Sequence, residues 1–396
     1  GVFQAVGDGL KLVFKEIVKP KGADSFVFSL APIIAGVAAF SSWAVIPLGG
    51  QVSMFGHQTN LQITDVPVAV LFILAISSIG VYGIVLAGWS SAGSYSMLGS
   101  LRSSASMISY EVAMSLTLVS VFMFSGTMST SGIVEAQATP IMFGDASLGV
   151  PGHYWLMLLP SFLIYVITMF GESNRLPFDM PECESELVSG YSTEYSGFPY
   201  GMYYLAEYIN MATLSAVCVT LFLGGYRAPW PFNHIGVIDS GWWGLLWFFI
   251  KVQLVIFFFV WVRAAIPRFR YDHYMQMGWK ALIPIALVWL VIVAALRSIG
   301  AQGASYNPLF MVFAGIGVAA LIAWAFGGDA DEPEKQPVSE EFDAFAGGYP
   351  VPPLPGQKLV TANAIVSGET VSAPGGEDVP PAGATSNVPE TPKGDN

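Results

Sequence analysis

The acidic residues of this chain cluster where proton chemistry would use them. From residue 171 to 197 the sequence reads GESNRLPFDMPECESELVSGYSTEYSG, gathering Glu172, Asp179, Glu182, Glu184, Glu186 and Glu194 with Arg175 in one connector. Glu111 in ISYEVAM, Glu207 in YLAEYIN and Lys251 in FFIKVQL lie within or at the edge of apolar runs, and Asp65 precedes another. Carboxyl groups crowded into a poorly hydrated site cannot all ionise, because desolvation and mutual repulsion both oppose the charged form. Such a cluster can take up and release protons near neutral pH, as a proton path requires. Two blander arrangements use the same residues. The loop could be a solvated acidic surface, and Glu111 or Glu207 could form an interhelical ion pair with Lys251.

A connector of about thirty residues is long enough to be either functional or disordered. Disorder fits poorly, because Leu176, Phe178, Met180, Leu187, Val188, Tyr191, Tyr195 and Phe198 are interleaved with the acids and call for burial. Pro177 and Pro181 stop the preceding helix. Pro181 suits the first turn of a short helix running to about Ser189 and closed by Gly190, with Glu182 and Glu184 near its positive end. Glu182 and Glu186, four apart, share one face of that helix.

The elements that hold this loop are membrane helices. Apolar residues make up 54% of the 396, and charged residues only 11%, far below the roughly 25% of a soluble domain. A bilayer core of about 30 Å needs roughly 20 apolar residues per helix. Such runs occur near 26–48, 66–89, 106–125, 154–171, 205–225, 242–262, 281–299 and 308–326. The expected fold is therefore an all-α, polytopic membrane bundle of eight transmembrane helices. Residues 1–21 form an amphipathic interfacial helix, with Val2, Val6, Leu10, Val13 and Ile17 at helical spacing and Asp8, Lys11, Lys15 and Lys19 on other faces. With the N-terminal stretch inside, the inside connectors carry Arg102, Arg175, Arg263, Arg268, Arg270 and Lys280, whereas the opposite ones hold only Arg227. This places the acidic loop, residues 172–204, in the cytoplasm.

The net charge of −12 belongs mostly to the tail: from Gly327 onward there are twelve acids and three bases. That segment, 327–396, is rich in Pro and Gly, poor in aliphatics, and expected to be a disordered cytoplasmic extension of the 22–326 bundle. The sixteen basic residues make no dense run for nucleic acid. Cys183 and Cys218 form no CxxC pair, and His57, His153, His234 and His273 are scattered. No metal site or redox centre is therefore expected in this chain.

The run from Glu172 to Gly197 resembles the signature loop of the quinone-chamber subunit family of respiratory complex I, the H-type subunits of the proton-pumping NADH-quinone oxidoreductases. The family pattern ETNRxPFDLPExExELVxGxxxEYSG is met at Glu172, Asn174, Arg175, Pro177, Phe178, Asp179, Pro181, Glu182, Glu184, Glu186, Leu187, Val188, Gly190, Glu194 and Tyr195. DGLKLVFKE, LRSSASMISYE, LAEYIN and VRAAIPRFRYD follow the family order, so the resemblance covers about residues 1–300. Ser173, Met180 and Ser192 depart from the pattern, and Ser192 removes one possible proton carrier. The chain begins with Gly rather than Met, and the resemblance implies a first helix and a basic GPNR element ahead of Gly1. Segment 308–326 and the tail are read as additions to the common core.

The resemblance implies a bacterial cytoplasmic-membrane protein whose cytoplasmic loops and interfacial helix close one side of a quinone chamber. The quinone, menaquinone or ubiquinone, is substrate, and FMN and iron-sulfur clusters belong to partner subunits. Expected partners are peripheral-arm subunits B, D and I and membrane-arm subunits A, J and K. Asp8, Lys11, Arg175, Phe178, Asp179, Phe198, Arg263, Arg268 and Arg270 are assigned to the chamber and interface. Phe178 and Phe198 could instead be packing residues. The proton path is assigned to Glu111, Glu172, Asp179, Glu182, Glu184, Glu186, Glu194, Glu207 and Lys251, with Asp65 on the far side. A membrane subunit of an energy-converting hydrogenase or another donor-quinone dehydrogenase would share this scaffold. A free-standing ion antiporter should show repeated halves with interrupted helices, and the sequence has no such repeat.

Overall fold

In lipid a chain must satisfy its own backbone hydrogen bonds, and the apolar runs do so as helices. The structure, a computed structural model, describes residues 3–54, 56–143, 146–180, 187–230, 232, 241–301, 315 and 317, all within the unit Gly1–Gly328. In order come α1 (Gln4–Phe14), α2 (Ser25–Ser41, continued by a 3-10 turn, Ser42–Val45), α3 (Ala69–Ser90), α4 (Ser94–Ser125), α5 (Thr130–Ala136), α6 (Tyr154–Met157), α7 (Leu159–Glu172), α8 (Phe198–Phe222), α9 (Trp243–Ala265), α10 (Tyr271–Gln276), a π-helical segment (Met277–Leu282) and α11 (Ile283–Ala301). Sheet among the described residues is confined to two antiparallel hairpins, β1 (Gly49–Met54) with β2 (His57–Leu61) and β3 (Pro140–Phe143) with β4 (Ala146–Pro151). The all-α, multi-pass class therefore holds.

Among the described residues, six helical stretches are long and apolar enough to cross a membrane: Ser25–Val45, Ala69–Ser90, Ser94–Ser125, Phe198–Phe222, Trp243–Ala265 and Tyr271–Ser298. They correspond to six of the eight expected spans. The fourth run, 154–171, is not one continuous helix. Leu158 leaves helical geometry at φ −111°, ψ 44°, and Pro160, which has no N–H to donate, falls in the first turn of α7. The 14 residues of α7 rise about 21 Å, short of the ~30 Å core. The run 308–326 and the tail lie almost entirely outside the described residues.

Two helices start earlier than hydropathy suggests. Residues 94–105, read as connector with Arg102, are the opening turns of α4. Its serines donate back to the backbone, as Ser100 does to the Met97 carbonyl (2.9 Å) and Ser109 to that of Ala105 (2.7 Å), so a polar composition costs little. Likewise Trp279 and Lys280 lie in the helical stretch Tyr271–Ser298 rather than in a connector. The N-terminal helix, expected over 1–21, is shorter: α1 ends at Phe14, Lys15 is extended, and Ile17 lies beyond it. Val6, Leu10 and Val13 stay more than half exposed, an apolar stripe this chain does not cover.

Helix ends gather on two opposite faces of the bundle. On one, the Asp24 side chain caps α2 by accepting from the amides of Phe26 (3.1 Å) and Val27 (3.3 Å). The Val18 amide donates to the Ser196 hydroxyl (3.0 Å) and the Phe269 amide to the Pro177 carbonyl (3.1 Å), bringing three connectors together there. On the other, Thr130 donates to the Val45 carbonyl (2.8 Å) and Gln137 to those of Thr220 (3.0 Å) and Leu221 (3.1 Å). Between the faces, Tyr110, Leu118, Ile164, Tyr165, Phe222 and Trp289 form part of the buried core.

Candidate functional site

The acids are brought together by a pair of consecutive serines. Ser77 and Ser78 lie on α3 in the run AISSIGV. Ser77 donates to Glu172 Oε1 at 2.5 Å, while Ser78 donates to Glu111 on α4. Glu172, the last residue of α7, is 1% exposed. Glu111 stands seventeen residues into α4, about 26 Å from its start. Three helices thus hold two carboxyls on adjacent hydroxyls, and a hydroxyl can accept a proton on one lone pair while giving up another. The Asn210 amide of α8 reaches the Glu172 carbonyl at 3.4 Å.

Beside Glu172 lies a cavity of about 70 Å³ lined by Ser42, Ser77, Asn174, Glu207 and Asn210 together with apolar and aromatic residues such as Met107 and Tyr203. At about one water per 10–15 Å³ this is room for several waters, and it is far below the several hundred Å³ of a cofactor pocket. Glu207, nine residues into α8, also lines it and meets Arg175 at 3.5 Å. The Arg175 guanidinium also lies over the Tyr208 ring, 4.2 Å from its centre. Both partners of this ion pair are 15% exposed, so it is screened far less than a surface pair.

The acidic loop is docked by packing on both flanks of residues 181–186. Phe178 sits among Tyr110, Phe269 and Tyr274, and Met180 and Leu187 are buried. The turn at Gly190–Ser192 lies directly on α4, where a Cβ on Gly99 would stand 2.6 Å from the Gly190 Cα. Only glycine admits that approach. Ser96 donates to the Tyr191 carbonyl (3.0 Å), and Tyr195 stacks on Phe28 at 4.0 Å and donates to its carbonyl (3.2 Å). Burial raises the Tyr195 phenol above its ordinary value, which leaves it a neutral donor at pH 7. Val188 and Phe198, by contrast, are 59% and 49% exposed.

The remaining expected residues divide clearly. Asp179 is bonded to Arg268 at 2.8 Å, and Glu194 is half-buried near Gly93. Asp8, Lys11 and Arg263 are exposed on the same face, as is Arg270, which pairs with Asp272 at 3.1 Å. Phe178 is buried inside the chain, so the packing alternative applies to it, whereas Phe198 is open. Glu182, Glu184 and Glu186, with Pro181 and the start of the expected short helix, lie outside the described residues.

Lys251 does not pair with Glu111 or Glu207. Its ammonium donates to the carbonyls of Leu223 (2.6 Å), Gly225 (3.0 Å) and Arg227 (2.7 Å), where α8 ends. Leu223 is sixteen residues, about 24 Å, along α8 from Glu207. Burial and then the Lys251 charge lower the neighbouring His153 imidazole to about 4. Asp65, on this far face, accepts from Ser129 (2.8 Å) and Ser131 (2.6 Å) at the start of α5. Sequence reasoning missed Ser77, Ser78 and Asn210. Their signal was a polar pair inside an apolar run and an amide one turn beyond Glu207, the side chains that bond across membrane helices.

Helices long and apolar enough to cross a membrane, around one buried and two half-buried carboxyls, define a multi-pass membrane protein. The model of the NADH dehydrogenase family matches residues 1–294. The H subunit of NADH-quinone oxidoreductase from Cutibacterium acnes is 72% identical over 373 residues, covering 94% of this chain and 85% of that protein. The H subunit from Streptomyces avermitilis is 49% identical over 372 residues, covering 91% and 78%. The chain belongs to this family of membrane subunits of NADH-quinone oxidoreductase, complex I. Other subunits of that complex are accordingly its partners, and the alternative assignments to a hydrogenase or a free-standing antiporter are not favoured.

Proposed function

We propose that this protein forms one wall of the quinone chamber and carries the resulting protonation change from the chamber to the membrane arm. The observation that supports this most is the Ser77–Ser78 pair, which links Glu172 to Glu111 beside a cavity reaching Glu207. Quinone bound against the face formed by α1, the acidic loop and the 266–270 connector meets Arg175, Arg263, Arg268 and Arg270. Planar guanidinium groups there pair with carboxylates and hold the wall to the peripheral arm. Asp179, Glu182, Glu184, Glu186 and Glu194 supply the acidic approach to Glu207.

Reduction of the quinone consumes protons, and the acids lining its chamber are the nearest donors. A proton leaving this group changes the charge presented to Glu207. Its ion pair with Arg175 then competes with proton uptake through the cavity, and Glu172 and Glu111 exchange through Ser77 and Ser78. The chain contributes positioned donors and acceptors, while electrons arrive from flavin and iron-sulfur centres in partner subunits. Subunits B, D and I would meet the chamber face and A, J and K the membrane flank, with the loop and tail on the cytoplasmic side of the bacterial membrane.

The test replaces Glu172 or Glu111 by Gln in the assembled complex. Quinone-linked NADH oxidation and proton pumping are expected to fall by roughly a hundredfold or more, the low end for a lost proton-transfer group, with NADH oxidation by an artificial acceptor retained. Full pumping in both variants refutes the assignment.

A further inference from the structure

One buried hydroxyl in this region has no role in the relay described above. Tyr274, in α10, is 0% exposed. Its ring is stacked on Tyr110 with centres 4.2 Å apart and planes 8° from parallel, and Phe178 closes a second side at 4.7 Å. The Tyr110 hydroxyl donates to the Tyr274 carbonyl at 2.9 Å, so ring and backbone are both fixed. The π-helical segment Met277–Leu282 follows at once. Wider turns of this kind are frequent at functional sites in helices.

The clamped ring aims its hydroxyl at the end of α7. A Cβ built on Gly171 would lie 2.5 Å from the Tyr274 oxygen. Adding a Cα–Cβ bond of about 1.5 Å puts that oxygen within about 4 Å of the Gly171 Cα, and the Glu172 Cα is about 3.8 Å further along the chain. A glutamate side chain covers most of that separation. Among the buried polar atoms with no hydrogen-bond partner among the described residues are the Tyr274 hydroxyl, a donor, and two acceptors on the same stretch, Glu172 Oε2 and Asn174 Oδ1. Leaving a buried donor unmet costs about 1–3 kcal/mol, and a bond between the Tyr274 hydroxyl and Glu172, direct or through a water, would remove that cost.

We propose that Tyr274 is a positioning residue for Glu172, donating to Oε2 directly or through one water while Ser77 donates to Oε1. This rests on the proton-path reading and adds to it a second donor on a different helix. Glu172 then sits between α3 and α10, and motion of the 266–270 connector that enters α10 changes the hydrogen bonding of the relay acid. A tyrosine that only packed would lose nothing on becoming phenylalanine, since the ring stack survives and a buried unmet hydroxyl disappears.

The experiment is redox-induced infrared difference spectroscopy of the assembled complex with quinone present. The wild type is expected to show the C=O stretch of a protonated carboxyl that Glu172→Gln removes. Tyr274→Phe should keep this band but move it to higher frequency, because a carbonyl losing a donor stiffens. Quinone-linked turnover should fall roughly three- to tenfold, the worth of one hydrogen bond, with artificial-acceptor NADH oxidation intact. If the Glu172 band is present and Tyr274→Phe leaves its frequency and the turnover unchanged, the inference is overturned while the proton path stands. If no band depends on Glu172, the proton-path reading itself fails and takes this inference with it.

Discussion

Arg175 and Glu207 face each other at 3.5 Å, one from the acidic loop and one from α8, with the Arg175 guanidinium also resting on the Tyr208 ring. The pair ties the acidic loop to a helix that lines the cavity beside Glu172. Removing one member of a largely buried pair takes from the other the charge that faced it, which costs more than the pair was worth. Arg175→Met is therefore expected to lower the assembled complex in membranes, and Glu207→Gln combined with it should recover part of that loss. Arg175→Lys should not restore wild-type behaviour, because the ammonium lacks the planar fork that bonds and stacks together. Band intensities on native gels and quinone-linked NADH oxidation per assembled complex check all three.

Ser77 and Ser78 give a sharper test of the bridge, since neither carries charge. In a path that runs through both hydroxyls each single Ala variant removes a required step, so pumping in either should fall nearly as far as in the double variant. The double variant removes both donors and should lose roughly tenfold or more in pumping per NADH oxidised, with the artificial-acceptor rate retained. Equal pumping in the double variant and the wild type would show that protons take another route past α3.

The sequence made the site legible to different depths. The acidic loop could be read because fifteen or so fixed types in order leave little room for coincidence, and Glu111 and Glu207 because acids within apolar runs are expensive. Ser77 and Ser78 were not singled out: a serine in a membrane helix commonly bonds its own backbone, as those of α4 do, and only geometry shows which reach across. The break at Leu158 was hidden because an apolar run has the same composition whether or not its helix is continuous. The start of α4 was hidden for the converse reason, a polar segment being helical. For Lys251 the charge was visible, but its partners are backbone carbonyls, which any sequence offers everywhere.

Lys251 is expected to act as a cap and not as a proton carrier. Its three bonds satisfy the Leu223 carbonyl at the negative end of α8 and those of Gly225 and Arg227 just beyond it, much as Arg297 does for the Met123 and Phe124 carbonyls at the end of α4. Lys251→Met should lower the stability of the far end by roughly 3 kcal/mol or more, from lost charge-assisted bonds. That loss reads out as a lower dissociation temperature of the purified complex. Turnover and pumping per assembled complex should stay near wild type. A variant that assembles normally but pumps poorly would return Lys251 to the proton path.

His153 sets a pH dependence at the same end. Burial, and then the charge of Lys251, bring its imidazole from 6.5 down to about 4, so the folded group is neutral at pH 7. The unfolded form takes up a proton below 6.5 that the folded form refuses until about 4. Its contribution is therefore fully present above 6.5 and is lost as pH falls from there towards 4, amounting to at most roughly 3 kcal/mol. Gly224 presses on the ring, since a Cβ there would be 2.5 Å from His153 Cε1, so a protonated imidazole has no space to recruit solvent on that side. Dissociation temperatures of the purified complex measured from pH 7 to pH 5 should fall more steeply for the wild type than for His153→Gln, which cannot titrate. Parallel curves for the two proteins would place the acid sensitivity of this end elsewhere.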